Sequence, residues 1–332
     1  MSEEKTDEDE DDLDLDRDDE VDEPVAFERF HDSRVKAKTS KKQAEMAKAL
    51  AQENENVLLE TTYKPSRHEA VWLYSSLRPF FDEQKLIDDV LFQVKGGKEA
   101  SVYCCHVAPD AQQALGAERV AAKVYRPRQF RNLRNDALYR QGRAVLTDEG
   151  RAAKATDQRL MRALGKKTDF GVQVQHSSWL LYEYTTLQAL FAAGCAVPEP
   201  YAVGENAILM GYVGEETRAA PTLIEVVLTK AQALKIFAQL KESLAILVGM
   251  GLVHGDLSAY NVLYDGEKPT IIDLPQVVRF DQNEHAERIF LRDLTRLCDY
   301  FQRAGVVCDP ETLAQELRGT HASNVSTMVS SG

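Results

Sequence analysis

The stretch "LVHGDLSAYNVLYDGEKPTIID", residues 252–273, constrains this chain more than any other. Three polar residues, Asp256, Asn261 and Asp273, stand five and twelve residues apart among strongly apolar neighbours. A lone aspartate here would read as a helix cap or a turn residue. The three together, framed by "LVHGDL", "NVLY" and "TIID", are far more specific.

At 332 residues the chain can hold one two-lobed domain or two small ones. Its net charge of −13 is very local. Residues 1–23 carry fifteen Asp/Glu against Lys5 and Arg17, so residues 24–332 balance at 38 acidic and 38 basic side chains. An acidic run of this kind cannot bury enough apolar surface to offset its ordering entropy, and it is expected to be disordered, as a solubilising or an interaction tail. The N-terminus is acidic and lacks the apolar segment of a signal peptide. No apolar run reaches the ~18 residues of a membrane span. The five cysteines, Cys104, Cys105, Cys195, Cys298 and Cys308, include no CxxC pair and read as reduced thiols of a cytoplasmic protein. Cys104 and Cys105, adjacent on a strand, would point to opposite faces.

Residues 1–60 read as a tail that turns basic near "RVKAKTSKKQAEMAK", where a lone charged helix fits. Residues 61–87 read as a helical extension. In "HEAVWLYSSLRPFF", Val71, Trp72, Ser75 and Leu77 recur at near-helical spacing, and Pro79 ends the run. "DDVLFQVKGGKEASVYCCHVA" predicts strand, glycine turn, strand, and "ERVAAKVYRP" predicts another strand stopped by Pro127. The insertion 126–167, from Arg126 to Lys167, reads as helical and basic, with twelve Lys/Arg and four Asp/Glu. "SSWLLYEYTTLQALFAAG" predicts a helix with Leu187, Leu190 and Phe191 inward and Gly194 just past its end. "VPEPYAVGENAILMGYVG" predicts two strands around a turn at 204–206.

After Gly214 the chain reads as mainly helical. "TKAQ" is a capping box of Thr229 and Gln232 that opens an apolar-faced helix. "AERIFLRDLTRLCDYFQRAG" is a last long helix, Asp309 with Pro310 starts one more, and 319–332 is a polar tail. The expected fold class is α+β, with a β-rich lobe at 88–213, an α-rich lobe at 214–318 and a ligand cleft at their junction near 211–214.

"HGDLSAYN" resembles the catalytic loop of protein kinases, H-R-D-x-x-x-x-N. The resemblance makes Asp256 the base for an attacking hydroxyl. It makes Asn261 a Mg²⁺ ligand through its amide oxygen, and Asp273 a second metal ligand. Phosphoryl transfer depends on positioning and on cancelling charge, which such a floor supplies. Lys123 in "VAAKVY" resembles the strand lysine that holds the α- and β-phosphates, and Glu183 its helical partner. Taken alone, each is an ordinary surface residue, and only their order along the chain gives them weight. "KGGKEASVY" takes the place of the phosphate-covering loop. Gly96 and Gly97 offer close backbone approach there, with Lys98 and Ser101 beside them. A plain hairpin turn fits the same letters. Gly255 replaces the arginine of the kinase motif, Leu274 and Pro275 replace Phe-Gly, and 59 residues remain after Asp273. That is too short for an activation segment and a full peptide-docking subdomain.

Over about residues 63–317 the chain is similar to RIO-type atypical protein kinases of the first subfamily. The residues that carry this are "GGKEASVY", "AAKVYRP", Trp179 with Glu183, "CAVPEPYAV", "LMGYVG", "LVHGDLSAYNVLY" and "IIDLPQ". The resemblance implies a bilobal protein-kinase-like fold and transfer of a phosphoryl group from ATP with Mg²⁺ to Ser/Thr, including autophosphorylation. It also implies adenine contacts from the hinge at Met210, Gly211 and Val213, and a transient phosphorylation of Asp273. "SAYN" and "DLPQ" point to a bacterial member. Archaeal and eukaryotic members serve in maturation of the small ribosomal subunit. Its twelve basic side chains make the insertion 126–167 a candidate contact for RNA phosphates or an acidic protein. A solvated loop, or a dock for the acidic tail, remains open. Two other functions share the motifs. One is an ATPase switch in ribonucleoprotein assembly. The other is a small-molecule phosphotransferase of the aminoglycoside or choline kinase type, against which "GGKEASVY" and the short C-terminal part count.

Overall fold

The computed structural model describes residues 60–97, 99–126, 162 and 168–329, all within the compact unit Glu53–Gly332. The acidic-to-basic tail, Lys98 and most of the insertion 126–167 lie outside the described residues, and so do the docking and RNA roles read into them.

Helix α1 (Arg67–Arg78) opens on a capping box. The Ser66 hydroxyl accepts the Glu69 N–H while the Glu69 carboxylate takes the Ser66 N–H. The helix does not stop at Pro79. The chain winds one wider, π-helical turn, Pro79–Glu83, starting at the residue that cannot donate. The face that packs is Leu73, Leu77 and Phe80, an i, i+4, i+7 stripe, with Tyr74 and Ser76 beside it. Ser75 is exposed, because the sheet meets the helix half a turn away from the Val71 face.

Strands β1 (Ile87–Gly96), β2 (Ala100–Val107), β3 (Arg119–Tyr125), β4 (Pro200–Val203) and β5 (Ala207–Gly211) form one antiparallel sheet in the order β1-β2-β3-β5-β4. A short helix that the sequence pattern does not announce, α2 (Pro109–Leu115), joins β2 to β3 and ends on Gly116. Strand alternation divides the side chains between two faces. Tyr103, Cys105, Val120, Ala122, Val124 and Leu209 pack under α1. Ala121, Lys123, Tyr125 and Ile208 face the other way, toward α3 and the cleft.

Helix α3 (Asp169–Ala192) begins well before the predicted start. Leu187 and Leu190 are buried, but Phe191 is 40% exposed, since it turns about 100° past Leu190 to the solvent side. Gly194 takes the left-handed conformation just beyond the helix.

The second lobe is built on α4 (Lys230–Gly249), which the Thr229–Gln232 box caps as expected. Four short strands follow: β6 (Leu252–Val253), β7 (Val262–Tyr264), β8 (Pro269–Ile271) and β9 (Val278–Arg279). β6 pairs with β9 and β7 with β8. Helices α5 (Ala286–Arg303) and α6 (Pro310–Val329) close the lobe. α6 takes in most of the segment read as a polar tail. Leu313, Ala314 and Leu317 anchor it, and the helix continues because its backbone bonds are internal. The leucines of α4 and α5 meet Val262, Ile271 and Phe301 in one core.

The cysteine reading needs correction. Cys298 and Cys308 form a disulfide, because the loop after α5 folds back to bring their Cα atoms to 5.3 Å. Cys104, Cys105 and Cys195 are free and buried. No helix among the described residues is long and apolar enough to cross a membrane.

Candidate active site

A cleft of about 860 Å³ lies between the sheet and the helical lobe. Its roof is the lower face of β1, β2 and β3, and Lys123 reaches into it from mid-β3. The Lys123 Nζ donates to Glu183 Oε1 of α3 at 2.6 Å and to Asp273 Oδ1 at 2.5 Å. Three groups separated by 60 and 150 residues in sequence thus meet at one ammonium. Burial works against a charged lysine, but Asp273 and Glu183 reverse this and hold its ammonium protonated well above the usual lysine range. Desolvation opposes charge on Asp273 as well, and Lys123 outweighs it, so the carboxyl stays below the usual range. The Asp273 side chain remains 43% open to the cleft.

Glu183 is held from both sides. Its second oxygen accepts the hydroxyl of Tyr125, which burial and Glu183 keep protonated far above its usual range. Tyr125 follows Lys123 by two residues and so shares its face. Its ring packs on Trp179 at 4.8 Å, one helical turn before Glu183. In the β4–β5 turn, Asn206 Nδ2 donates to the Tyr125 carbonyl at 2.6 Å and to Ser76 Oγ of α1 at 2.9 Å. His176 of α3 meets the Asn206 side-chain oxygen at 2.7 Å. The helix, the strand and the N-terminal extension are locked together behind the lysine.

The floor is the 252–273 stretch. His254 donates from Nε2 to the Ile272 carbonyl at 3.1 Å, and its Nδ1 accepts the Asp256 N–H at 3.3 Å. These bonds tie the two segments of the floor together. Asn261 Nδ2 donates to the Asp256 carbonyl at 2.8 Å and to Asp256 Oδ2 at 3.0 Å. The five-residue spacing closes this loop through one short 3₁₀ turn, Ala259–Asn261. Burial raises the Asp256 carboxyl above the usual aspartate range, against His254 and Arg296, which lower it. Asp273 sits at φ 69°, a left-handed conformation uncommon outside glycine and concentrated at functional sites.

Gly255 is required by geometry. Its φ is +88°, and a Cβ there would lie 2.2 Å from the Gln276 carbonyl oxygen. Its N–H donates to Asp293 Oδ2 of α5 at 2.8 Å, and its carbonyl accepts from Arg292 Nη2 at 2.5 Å. The Asp256 Oδ1 contacts Arg296 Nη1 at 3.2 Å. None of these α5 residues stands out in the sequence, because helical spacing alone does not say which turn faces a loop forty residues away.

The remaining predicted residues fall into two sets. Gly97, Met210, Gly211 and Val213 line the cleft. Gly97 does not offer its N–H, which donates to the Ala100 carbonyl at 2.9 Å to close the β1–β2 hairpin, and a Cβ there would meet that same oxygen at 2.7 Å. Gly96 is taken into the ladder opposite Ser101. Gly211 N–H donates to the Glu199 carbonyl at 2.7 Å, and the Val213 carbonyl accepts from Ala220 at 2.9 Å. Ser101 is not brought to the cleft. It is fully buried on the α1 face of β2, as strand alternation from Val102 requires. Lys98 lies outside the described residues. Glu225, unremarkable in the sequence, lines the cleft mouth with its carboxylate fixed by the N–H and hydroxyl of Thr222.

Asn261 turns its amide nitrogen to Asp256, which directs its oxygen away from that carboxylate. With Asp273 it makes a hard oxygen donor pair, the type suited to Mg²⁺ that keeps water and phosphate ligands. Among the described residues no group of three or more His, Cys, Asp or Glu could hold a metal by itself.

A strand lysine paired to a helical glutamate, above an Asp–Asn–Asp floor and between a sheet lobe and a helical lobe, defines a protein-kinase-like fold and site. The RIO domain matches residues 137–313, just over half of the sequence, and the chain belongs to the RIO domain family. It is 33% identical over 141 residues to the RIO-type serine/threonine-protein kinase Rio1 of Thermoplasma acidophilum, covering 42% of this chain and 72% of that one. Against the RIO-type serine/threonine-protein kinase Rio1 of Haloferax volcanii it is 31% identical over 231 residues, 68% of each protein. The Rio2 kinase–ADP/Mg²⁺–phosphoaspartate complex of Chaetomium thermophilum gives a TM-score of 0.49 at 18% identity, over 89% of this chain and 86% of that one.

Proposed function

We propose that this chain is an atypical RIO-type serine/threonine protein kinase that transfers the γ-phosphoryl group of ATP. The observation that carries the reading is Lys123, held between Glu183 and Asp273 and facing the Asp256–Asn261 loop. The two relatives named as serine/threonine-protein kinases support it. Lys123 places one positive charge where the α- and β-phosphates lie, and Glu183 with Tyr125 keeps the ammonium aimed there. Asn261 Oδ1 and Asp273 would hold Mg²⁺, which when bound cancels charge on the β- and γ-phosphates. Met210 and the hinge at Gly211 and Val213 form the adenine end. Asp256 accepts the proton of the acceptor hydroxyl as that oxygen bonds to the γ-phosphorus. The β–γ bridging oxygen then departs with ADP. Asn261 and Arg296 hold the two carboxylate oxygens of Asp256, which fixes the base in one rotamer.

The test is γ-labelled ATP and Mg²⁺ with the purified chain, its Asp256→Asn and Asp273→Asn variants, and a generic acceptor protein. Acid-stable phosphoprotein that vanishes in Asp256→Asn is the expected result. Acid-labile label that is lost in Asp273→Asn would assign a phosphoaspartate to that residue. Free phosphate without stable label would replace the reading by an ATPase switch. Bound ATP without turnover would overturn the mechanism.

A further inference from the structure

Helix α5 has two unlike faces. Ile289, Phe290, Leu294, Leu297 and Phe301 are buried in the core. On the opposite side Arg288, Arg292, Arg296 and Arg303 share a face with Leu291, and Asp299 is the one acid among them. At 100° per residue these positions span an arc of about 140°. Arg288, Arg296 and Arg303 are exposed, and Leu291 is 38% exposed.

This basic row runs up to the base. Arg292 Nη2 donates to the Gly255 carbonyl at 2.5 Å, and Arg296 Nη1 lies 3.2 Å from Asp256 Oδ1. Asn261, which holds the other oxygen of Asp256, is buried, whereas Arg296 is half-exposed, so an acceptor hydroxyl reaches the carboxylate from the Arg296 side. The Arg296 side chain is 43% exposed, and a guanidinium has five N–H donors, of which one meets Asp256. Whatever brings a hydroxyl to Asp256 lies beside this row. Cationic flanks are repelled there and anionic flanks are drawn in.

The spacing is also specific. Arginines four residues apart step about 6 Å along a helix. Alternate side chains of an extended segment step about 6.7 Å and point the same way. An extended acceptor with carboxylates at alternate positions sets two of them, about 13 Å apart, against the exposed Arg296 and Arg288, about 12 Å apart along the helix. Arg292 between them is held by the Gly255 carbonyl and by Asp293 Oδ1 at 2.9 Å, and Leu291 offers apolar contact.

We propose that the arginine face of α5 is the acceptor-docking surface of this kinase, and that it selects Ser/Thr hydroxyls in extended protein segments with acidic residues at alternate positions beside the hydroxyl. The proposal deepens the kinase reading and rests on it. Arg288 and Arg296 are specificity-determining residues, since both would touch the acceptor. Only Arg296 also touches the base.

The experiment uses the full chain, Mg²⁺–ATP and three sets of serine peptides of equal length. They carry Glu, Gln or Lys at alternate positions, on the N-terminal side of the serine or on its C-terminal side. The expected result is a preference for a Glu peptide over its Lys counterpart of at least about tenfold in kcat/KM, expressed mainly in KM, as two exposed charge pairs would give. Arg288→Glu should remove most of that preference and improve the Lys peptide, the change again falling mainly in KM. A purely structural role for Arg288 would slow all three peptides alike. Equal kcat/KM for the three sets in an enzyme that autophosphorylates overturns the docking proposal and leaves the kinase reading intact. So does a Glu preference unchanged by Arg288→Glu. A single-stranded RNA that binds through Arg288, with no Glu preference among the peptides, reassigns the row to nucleic acid and also overturns it. If neither peptide nor protein is ever labelled, the kinase reading fails and the docking surface fails with it.

Discussion

Replacing Gly255 by arginine brings "HGD" closer to the ordinary kinase motif, and the structure predicts that it destroys the site. Two costs add. The φ of +88° is strained for any residue with a Cβ, at about 1–2 kcal/mol. The Cβ would lie 2.2 Å from the Gln276 carbonyl oxygen, well inside van der Waals contact, and backbone on both sides must yield by about 1 Å. Overpacking of that kind costs about 1–3 kcal/mol. The sum is roughly 2–5 kcal/mol, against a total of about 5–15 for a typical domain. Gly255→Ala incurs the same backbone terms without the long side chain, which separates them from any effect of charge. The Gly255 peptide is clamped by Asp293 and Arg292, so strain there moves Asp256 directly. A displacement of ~1 Å at a catalytic group costs on the order of 10²-fold in rate. Differential scanning calorimetry and labelled-phosphate turnover on the same preparations make the comparison. Both variants should melt roughly 5–15 °C lower and turn over at least about 100-fold more slowly. A Gly255→Ala protein with unchanged melting temperature and rate would refute the steric argument.

Four further outcomes are expected. Lys123→Met leaves the buried Glu183 with only Tyr125 and should cost about 3–5 kcal/mol in urea unfolding, with turnover nearly abolished. Tyr125→Phe should cost about 1–2 kcal/mol and reduce turnover without abolishing nucleotide binding, since Lys123 still holds Glu183. Burial raises the Asp256 carboxyl, so it takes up a proton at a higher pH than an ordinary aspartate of about 3.9, and once protonated it cannot act as a base. The acid limb of kcat/KM should therefore lie above that value, and a limb at or below it in a pH-rate profile would contradict the assignment. Reducing Cys298–Cys308, whose partners are 10 residues apart, should cost about 2.5–3 kcal/mol by the loop-closure argument, read as the difference in unfolding midpoint between Cys298→Ser and the oxidised chain.

The local devices of this fold are legible in the letters. The glycine turn before "ASVYCCHV" and its alternating side chains mark β2, the apolar run "RVAAKVY" ahead of Pro127 marks β3, and "TKAQ" marks the start of α4. Each is a short-range rule in which neighbours along the chain decide the conformation. The departures are equally local in form but tertiary in cause. Phe191 falls outside the core because a helical stripe has a fuzzy edge, and only the packed partner chooses which residues lie inside it. Ser101 is close to Gly97 in sequence, which suggests a place at the nucleotide, while strand alternation sends it to the opposite face. α6 runs through a polar stretch that hydrophobic periodicity cannot detect.

By itself the sequence determined which chemical groups this protein brings to its cleft. They are one strand lysine, one helical glutamate, and an aspartate, asparagine and aspartate in a fixed order. Residue identity and short spacing encode that directly. Only the tertiary structure decided how those groups are held. Tyr125 and Asn206 fix Glu183 and the strand, His254 ties the two halves of the floor, and α5 clamps Gly255 and brings Arg296 to the base. These contacts join residues tens of positions apart, and their energies depend on distance in space and on exclusion of water. No pattern along the chain expresses either quantity.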